Sequence, residues 1–134
     1  MIYYLISGFF SALSARVILG AVAVNSNSKP VIVLLGPVVE EIAKTGSAML
    51  FNAGIFYTHV VFGSLELVMD TLRRRGVWPG LAALVLHSIL GFATQWLLGL
   101  YGSLALALTV AVLLHAMWNY TSVVLLGPNL KKSK

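Results

Sequence analysis

Five apolar stretches dominate this chain, at residues 2 to 24, 30 to 52, 55 to 72, 78 to 99 and 103 to 126, and each is near the length at which a helix crosses a bilayer. A helix needs about 20 residues to cover the hydrocarbon core, where every backbone N–H and C=O must be satisfied inside its own segment. Such a chain has few options. The connections are short and polar or glycine-containing: Asn25 to Lys29, Asn52 to Gly54, Arg73 to Gly76, and Leu100 to Gly102. Short connections make consecutive spans antiparallel neighbours. The sequence therefore predicts an all-α, polytopic membrane helix bundle of about five transmembrane helices, one domain over 1–134 without linker or repeat.

Composition agrees, since 59% of residues are hydrophobic and 10% charged, with a mean hydropathy of +0.93. With no cysteine, disulfides, thiol nucleophiles and cysteine metal sites are excluded. The net charge of +5 sits beside the predicted helix ends and forms no basic surface with interleaved aromatics, so no nucleic-acid partner is expected. With five spans, Lys29, Arg73, Arg74, Arg75, Lys131, Lys132 and Lys134 all fall on one side, which the positive-inside rule makes cytoplasmic. The N-terminus is then outside and the C-terminus cytoplasmic. Tyr3, Tyr4, Tyr57, Trp96 and Tyr101 form an outer aromatic belt, with Trp78 at the inner interface. The first apolar run has no positive leader and reads as a retained helix.

Within the second stretch lies Gly36-Pro37-Val38-Val39-Glu40-Glu41-Ile42-Ala43-Lys44. Ionisable groups at that depth cost about 2.5 to 3.5 kcal/mol each on insertion scales and mark function or paired interiors. Glu40 and Lys44 are four residues apart and expected to pair on one face, leaving Glu41 rotated by about 100°. Pro37 removes a donor and clashes with the carbonyl of Val33, which predicts a kink beside the carboxylates. Glu66, His87, His115 and, one turn after it, Asn119 converge on the same depth from the third, fourth and fifth segments. Arg16 reads as a snorkelling or paired cation, Asp70 as a partner of Arg73 or Arg74, and His59 as an interfacial ring without a catalytic role.

A Ser, His and Asp triad does not converge at this depth. A glutamate that activates water, with His and Asn facing a developing oxyanion, fits the residue types. So does Zn²⁺ held by His87, His115 and Glu41 with a second glutamate as base, although HExxH is absent.

These motifs resemble those of the PrsW-type intramembrane proteases and, more distantly, the CAAX prenyl endopeptidase and bacteriocin-immunity superfamily. Glu40-Glu41-Ile42-Ala43-Lys44 is similar to EExxK, Phe62 to Glu66 to the second helix motif, His87 to the lone histidine of the next helix, and His115 to Asn119 to HxxxN. The resemblance covers 36–120 as a catalytic core. It implies Glu40 as base, Glu41 as orienter or second carboxylate, His115 and Asn119 as oxyanion donors, and Lys44 and Glu66 in support. It implies an intramembrane endopeptidase acting on a membrane-protein or peptide substrate among lipid, with a partner or second copy supplying recognition helices. Thr45 and Glu66 stand where the prenyl-protease branch has Arg and His, which argues against a prenylated substrate. The other reading is a non-catalytic scaffold or small transport or binding module, since the gamma-secretase scaffold subunit is itself identified as a distant relative.

Overall fold

The computed structural model describes residues 2–23, 31–73 and 76–126. They form five α-helices without strands: α1 (Ile2–Ala23), α2 (Gly36–Leu50), α3 (Ile55–Leu72), α4 (Val77–Tyr101) and α5 (Leu104–Tyr120). The chain is thus all-α, with helix bounds close to the apolar stretches. Four helices are long and apolar enough to cross a membrane: α1, α3, α4 and α5 with its continuation to Val124. The second is different. Its α-helical part has 15 residues and follows a π-helical segment, Val31–Leu35, so the predicted kink takes the form of a change of helix type. Pro37 then falls in the first turn of α2, where its missing N–H costs nothing and its fixed φ suits the helix. A second π-helical segment, Thr121–Leu126, continues α5. Of the basic residues used to orient the chain, Lys29, Arg74, Arg75, Lys131, Lys132 and Lys134 lie outside the described residues.

The helix ends follow from local chemistry. Asn52, at φ 48, leaves α2 in the left-handed region while Ala53 N–H reaches back to Ala48 O at 2.7 Å. Gly102, at φ 63, stops α4, and Ser103 starts α5 by accepting from Leu106 N–H at 3.3 Å.

Packing inverts the order of a soluble core. Among the described residues the buried side chains include Ser7, Ser11, Glu41, Lys44, Thr58, His59, His87, Thr94 and His115, while Leu50, Leu72, Val85, Phe92 and Leu113 are exposed. That is how a bundle solvated by hydrocarbon places its residues. Helix α1 packs on α2 and α3, running parallel to α3, as the Tyr4–Tyr57 ring stack (5.3 Å) and the Thr58 to Ser7 hydroxyl bond (3.1 Å) show. Helix α5 packs on α4 and α2.

The closest seam is between α3 and α4, and glycine makes it possible. A Cβ on Gly63 would come within 2.9 Å of Leu84 Cα and 3.2 Å of His87 Cβ, and one on Gly91 within 2.6 Å of His59 Cβ. The two backbones approach until His59 and His87 are held where they face α2. Gly91→Val is therefore expected to destabilise the bundle by about 1 to 3 kcal/mol through overpacking. Gly99→Ala, where a Cβ meets nothing within 4 Å, serves as the neutral control. Thermal unfolding of the two variants in detergent checks this.

Candidate active site

The inward stripe of α2 is Pro37, Glu41, Lys44, Thr45 and Ala48, one helical face of buried residues. It carries a carboxylate and an ammonium into the interior. Glu41 is fully buried and accepts from three groups. Lys44 Nζ donates to its Oε1 at 2.6 Å, His115 Nδ1 of α5 to the same oxygen at 2.8 Å, and His59 Nε2 of α3 lies 3.0 Å from Oε2. The predicted Lys44–Glu40 pair is thus replaced by Lys44–Glu41, because Glu41 lies on the stripe that His59 and His115 also face. Spacing along one helix does not decide a pairing when neighbouring helices supply the other donors.

Lys44 is equally committed. Its ammonium reaches His87 Nδ1 of α4 at 2.8 Å and stands 4.7 Å from the centre of the Phe62 ring. An ammonium can only donate, so His87 Nδ1 accepts and its proton is on Nε2, which donates to Glu66 Oε2 at 2.6 Å. His59 Nδ1 faces the Ile55 carbonyl at 2.9 Å and must carry a proton, and a further proton is shared between His59 Nε2 and Glu41 Oε2. The network thus joins α2, α3, α4 and α5 through hydrogen-bonded charges, the condition under which such groups are tolerated in a dry interior.

Glu40 is different. Its side chain is 17% exposed and lines a cavity of about 410 Å³ between α1, α2 and α3. Its nearest ionic neighbour among the described residues is His115 Nε2, 3.8 Å from Oε2. With Nδ1 donating to Glu41, a neutral His115 ring presents a lone pair at that Nε2. The gap is too long for a direct hydrogen bond and suits a water between them. Glu66, 39% exposed, lines the same cavity, and Arg16, Asp70 and Arg73 line it further along α1 and α3.

Six residues singled out from sequence meet here: Glu40, Glu41, Lys44, Glu66, His87 and His115. Asn119 is half-buried one turn beyond His115 and has a polar partner of its own. His59 is a correction, being fully buried against Glu41 instead of interfacial. Its sequence signal was its face: His59, Gly63 and Glu66 recur at helical spacing on α3.

The carboxylate that shares metal-binding distance with His87 and His115 is Glu40, not the expected Glu41, the three ligand atoms lying within 4.8 Å of one another. The donor set does not fit zinc as arranged. Both His87 nitrogens are engaged, one by an ammonium at 2.8 Å, so an ion would displace Lys44 or Glu66 and stand beside a positive charge. The chain matches no protein-family model, no curated protein and no solved structure.

The two adjacent carboxylates should separate by stability. Removing one partner of a buried ion pair costs about 3 to 5 kcal/mol, so Glu41→Gln is expected to lower the unfolding midpoint strongly. Glu40→Gln should stay within about 0.5 kcal/mol of the parent. Chemical unfolding in detergent micelles reads both.

Proposed function

We propose that this chain is an intramembrane peptidase of the PrsW type that hydrolyses a peptide bond of a membrane-embedded protein or peptide, with Glu40 as the base that activates water. The observation that carries this reading is that Glu40 lines the cavity with its Oε2 3.8 Å from His115 Nε2, beside a Glu41 whose oxygens are already taken. A water held there donates one hydrogen toward each. Glu40 takes a proton as the water oxygen attacks the carbonyl carbon, and returns it to the leaving nitrogen as the C–N bond breaks. Glu41 holds His115 in the tautomer that leaves Nε2 open, so His115 orients the water, and the oxyanion donor role falls to the Asn119 amide. Lys44, His87 and Glu66 form the chain of hydrogen bonds that holds Glu41 in place. In this reading the chemistry is metal-free, the protein is multi-pass with its N-terminus outside and its C-terminus cytoplasmic, and a second copy or partner helps to present the substrate.

The scaffold reading draws on the same network, since a saturated Glu41 would also serve only to hold four helices together. Under it the chain has no hydrolytic activity, and Glu40→Gln changes nothing.

In liposomes containing a panel of labelled transmembrane peptides, the parent should cleave and Glu40→Gln, folded as judged by its unfolding midpoint, should cleave at least about 100-fold more slowly. Equal cleavage by the two would rule Glu40 out as the base. Chelation by EDTA should leave the rate unchanged, and plasma mass spectrometry of the purified protein should find less than stoichiometric zinc. Stoichiometric zinc lost on His87→Ala would overturn the metal-free mechanism.

A further inference from the structure

Helices α1 and α3 touch through their first halves, where Thr58 Oγ1 donates to Ser7 Oγ at 3.1 Å and a Cβ on Gly8 would collide with the Val61 side chain. Beyond that contact they enclose the cavity of about 410 Å³, which Glu40 reaches from α2. Phe9, Leu13, Phe62 and Leu65 make part of its wall apolar, and the charged groups Arg16, Asp70 and Arg73 come further along α1 and α3. With Glu40 and Glu66 the lining carries both signs, so net charge selects no occupant. Hydrogen-bond acceptors do. Glu66 gives Oε2 to His87 Nε2 at 2.6 Å, and among the described residues its Oε1 accepts no hydrogen bond, nor does either oxygen of Glu40. Phe9 and Leu13 are also exposed on the surface of α1, which gives the cavity an edge on the surrounding hydrocarbon. Carboxylate oxygens facing an apolar space need donors, and acyl chains offer none. A peptide segment that has left its helix has the opposite need, since its freed N–H groups find no acceptor in the bilayer.

We infer that this cavity receives an extended, unwound stretch of a transmembrane peptide where its apolar span gives way to polar residues, with Glu66 Oε1 accepting one of its backbone N–H groups. A large apolar side chain lies on Phe9 and Leu13, and the polar residues run on past Arg16, Asp70 and Arg73. The volume agrees with this. A helix about 10 to 12 Å across would fill 410 Å³ in less than one turn. A strand about 4.8 by 10 Å in section, rising about 3.3 Å per residue, fits it with roughly two to three residues. The assignment rests on the peptidase reading, in which an unwound segment brings a carbonyl freed of its helical hydrogen bond to the water at Glu40. It makes Glu66 a substrate-binding residue.

Photo-crosslinking in liposomes tests it, with benzoylphenylalanine placed at Leu13 of the Glu40→Gln protein, so that capture does not depend on cleavage. The same group at Leu113, exposed on α5, is the control. The probes are two labelled transmembrane peptides, one with a Gly-Pro break where its leucine span meets a polar tail, the other uninterrupted. Leu13 should capture the broken peptide at least about tenfold more than the uninterrupted one, and Leu113 should capture neither. Replacing single N–H groups around the break by ester oxygens should reveal one position that costs about tenfold. That loss should vanish in Glu66→Leu and persist in Glu66→Gln, whose amide oxygen still accepts. Equal capture of the two peptides, an ester scan without a sensitive position, or an ester effect that Glu66→Leu leaves intact would overturn the inference. So would a photoactivatable phospholipid that occupies Leu13 and is not displaced by the broken peptide. Selective capture in a protein whose parent cleaves nothing would support the cleft and sink the peptidase reading, whereas cleavage by the parent without any ester effect would do the reverse.

Discussion

Everything in this bundle depends on one buried ion pair. Glu41 and Lys44, one turn apart on α2, sit where no water can solvate them, so each must find its remaining partners on other helices. Glu41 takes His59 and His115, and Lys44 takes His87 and the Phe62 ring. In lipid the hydrophobic effect does not drive helices together, so a polar network and close glycine contacts carry a larger share of the packing. The glycine seam between α3 and α4 and the ion network on α2 thus depend on each other.

That division of labour separates two glutamates that are adjacent in sequence. Glu41 has a complete set of donors and fixes its neighbours, whereas Glu40, turned by about 100°, leaves the network and faces the cavity. His115 connects them, with one nitrogen on Glu41 and the other opposite Glu40. A carboxylate held by three donors is a poor base, and one left beside an open cavity can serve as one. The same arrangement would remain as inert glue if no substrate reached Glu40.

Much of the fold was legible because the bilayer permits so little: apolar runs of the right length, separated by short polar connections, gave the helices nearly residue by residue. The polar layer was legible too, since Glu40, Glu41, Lys44, Glu66, His87 and His115 sit at depths where polar groups need a reason. Which of them touch was not. Lys44 faced two glutamates at i−4 and i−3, and the choice was made by α3 and α5, whose tilt and rotation leave no local trace in the sequence. His59 was misplaced for the same reason. Counted along α3 it lies near an interface, but the approach of α4 at Gly91 and the position of α2 bury it against Glu41. The π-helical entry to α2 was visible only as a proline.

The contrast between the two glutamates is open to direct observation. In an experimental structure of the protein in lipid, at a resolution that resolves ordered water, a water is expected in contact with Glu40 Oε2 and His115 Nε2. The oxygens of Glu41 should be filled by Lys44, His59 and His115. A water or metal ion bound to Glu41, with Glu40 turned out toward the lipid, would contradict the assignment of base and anchor to these two residues.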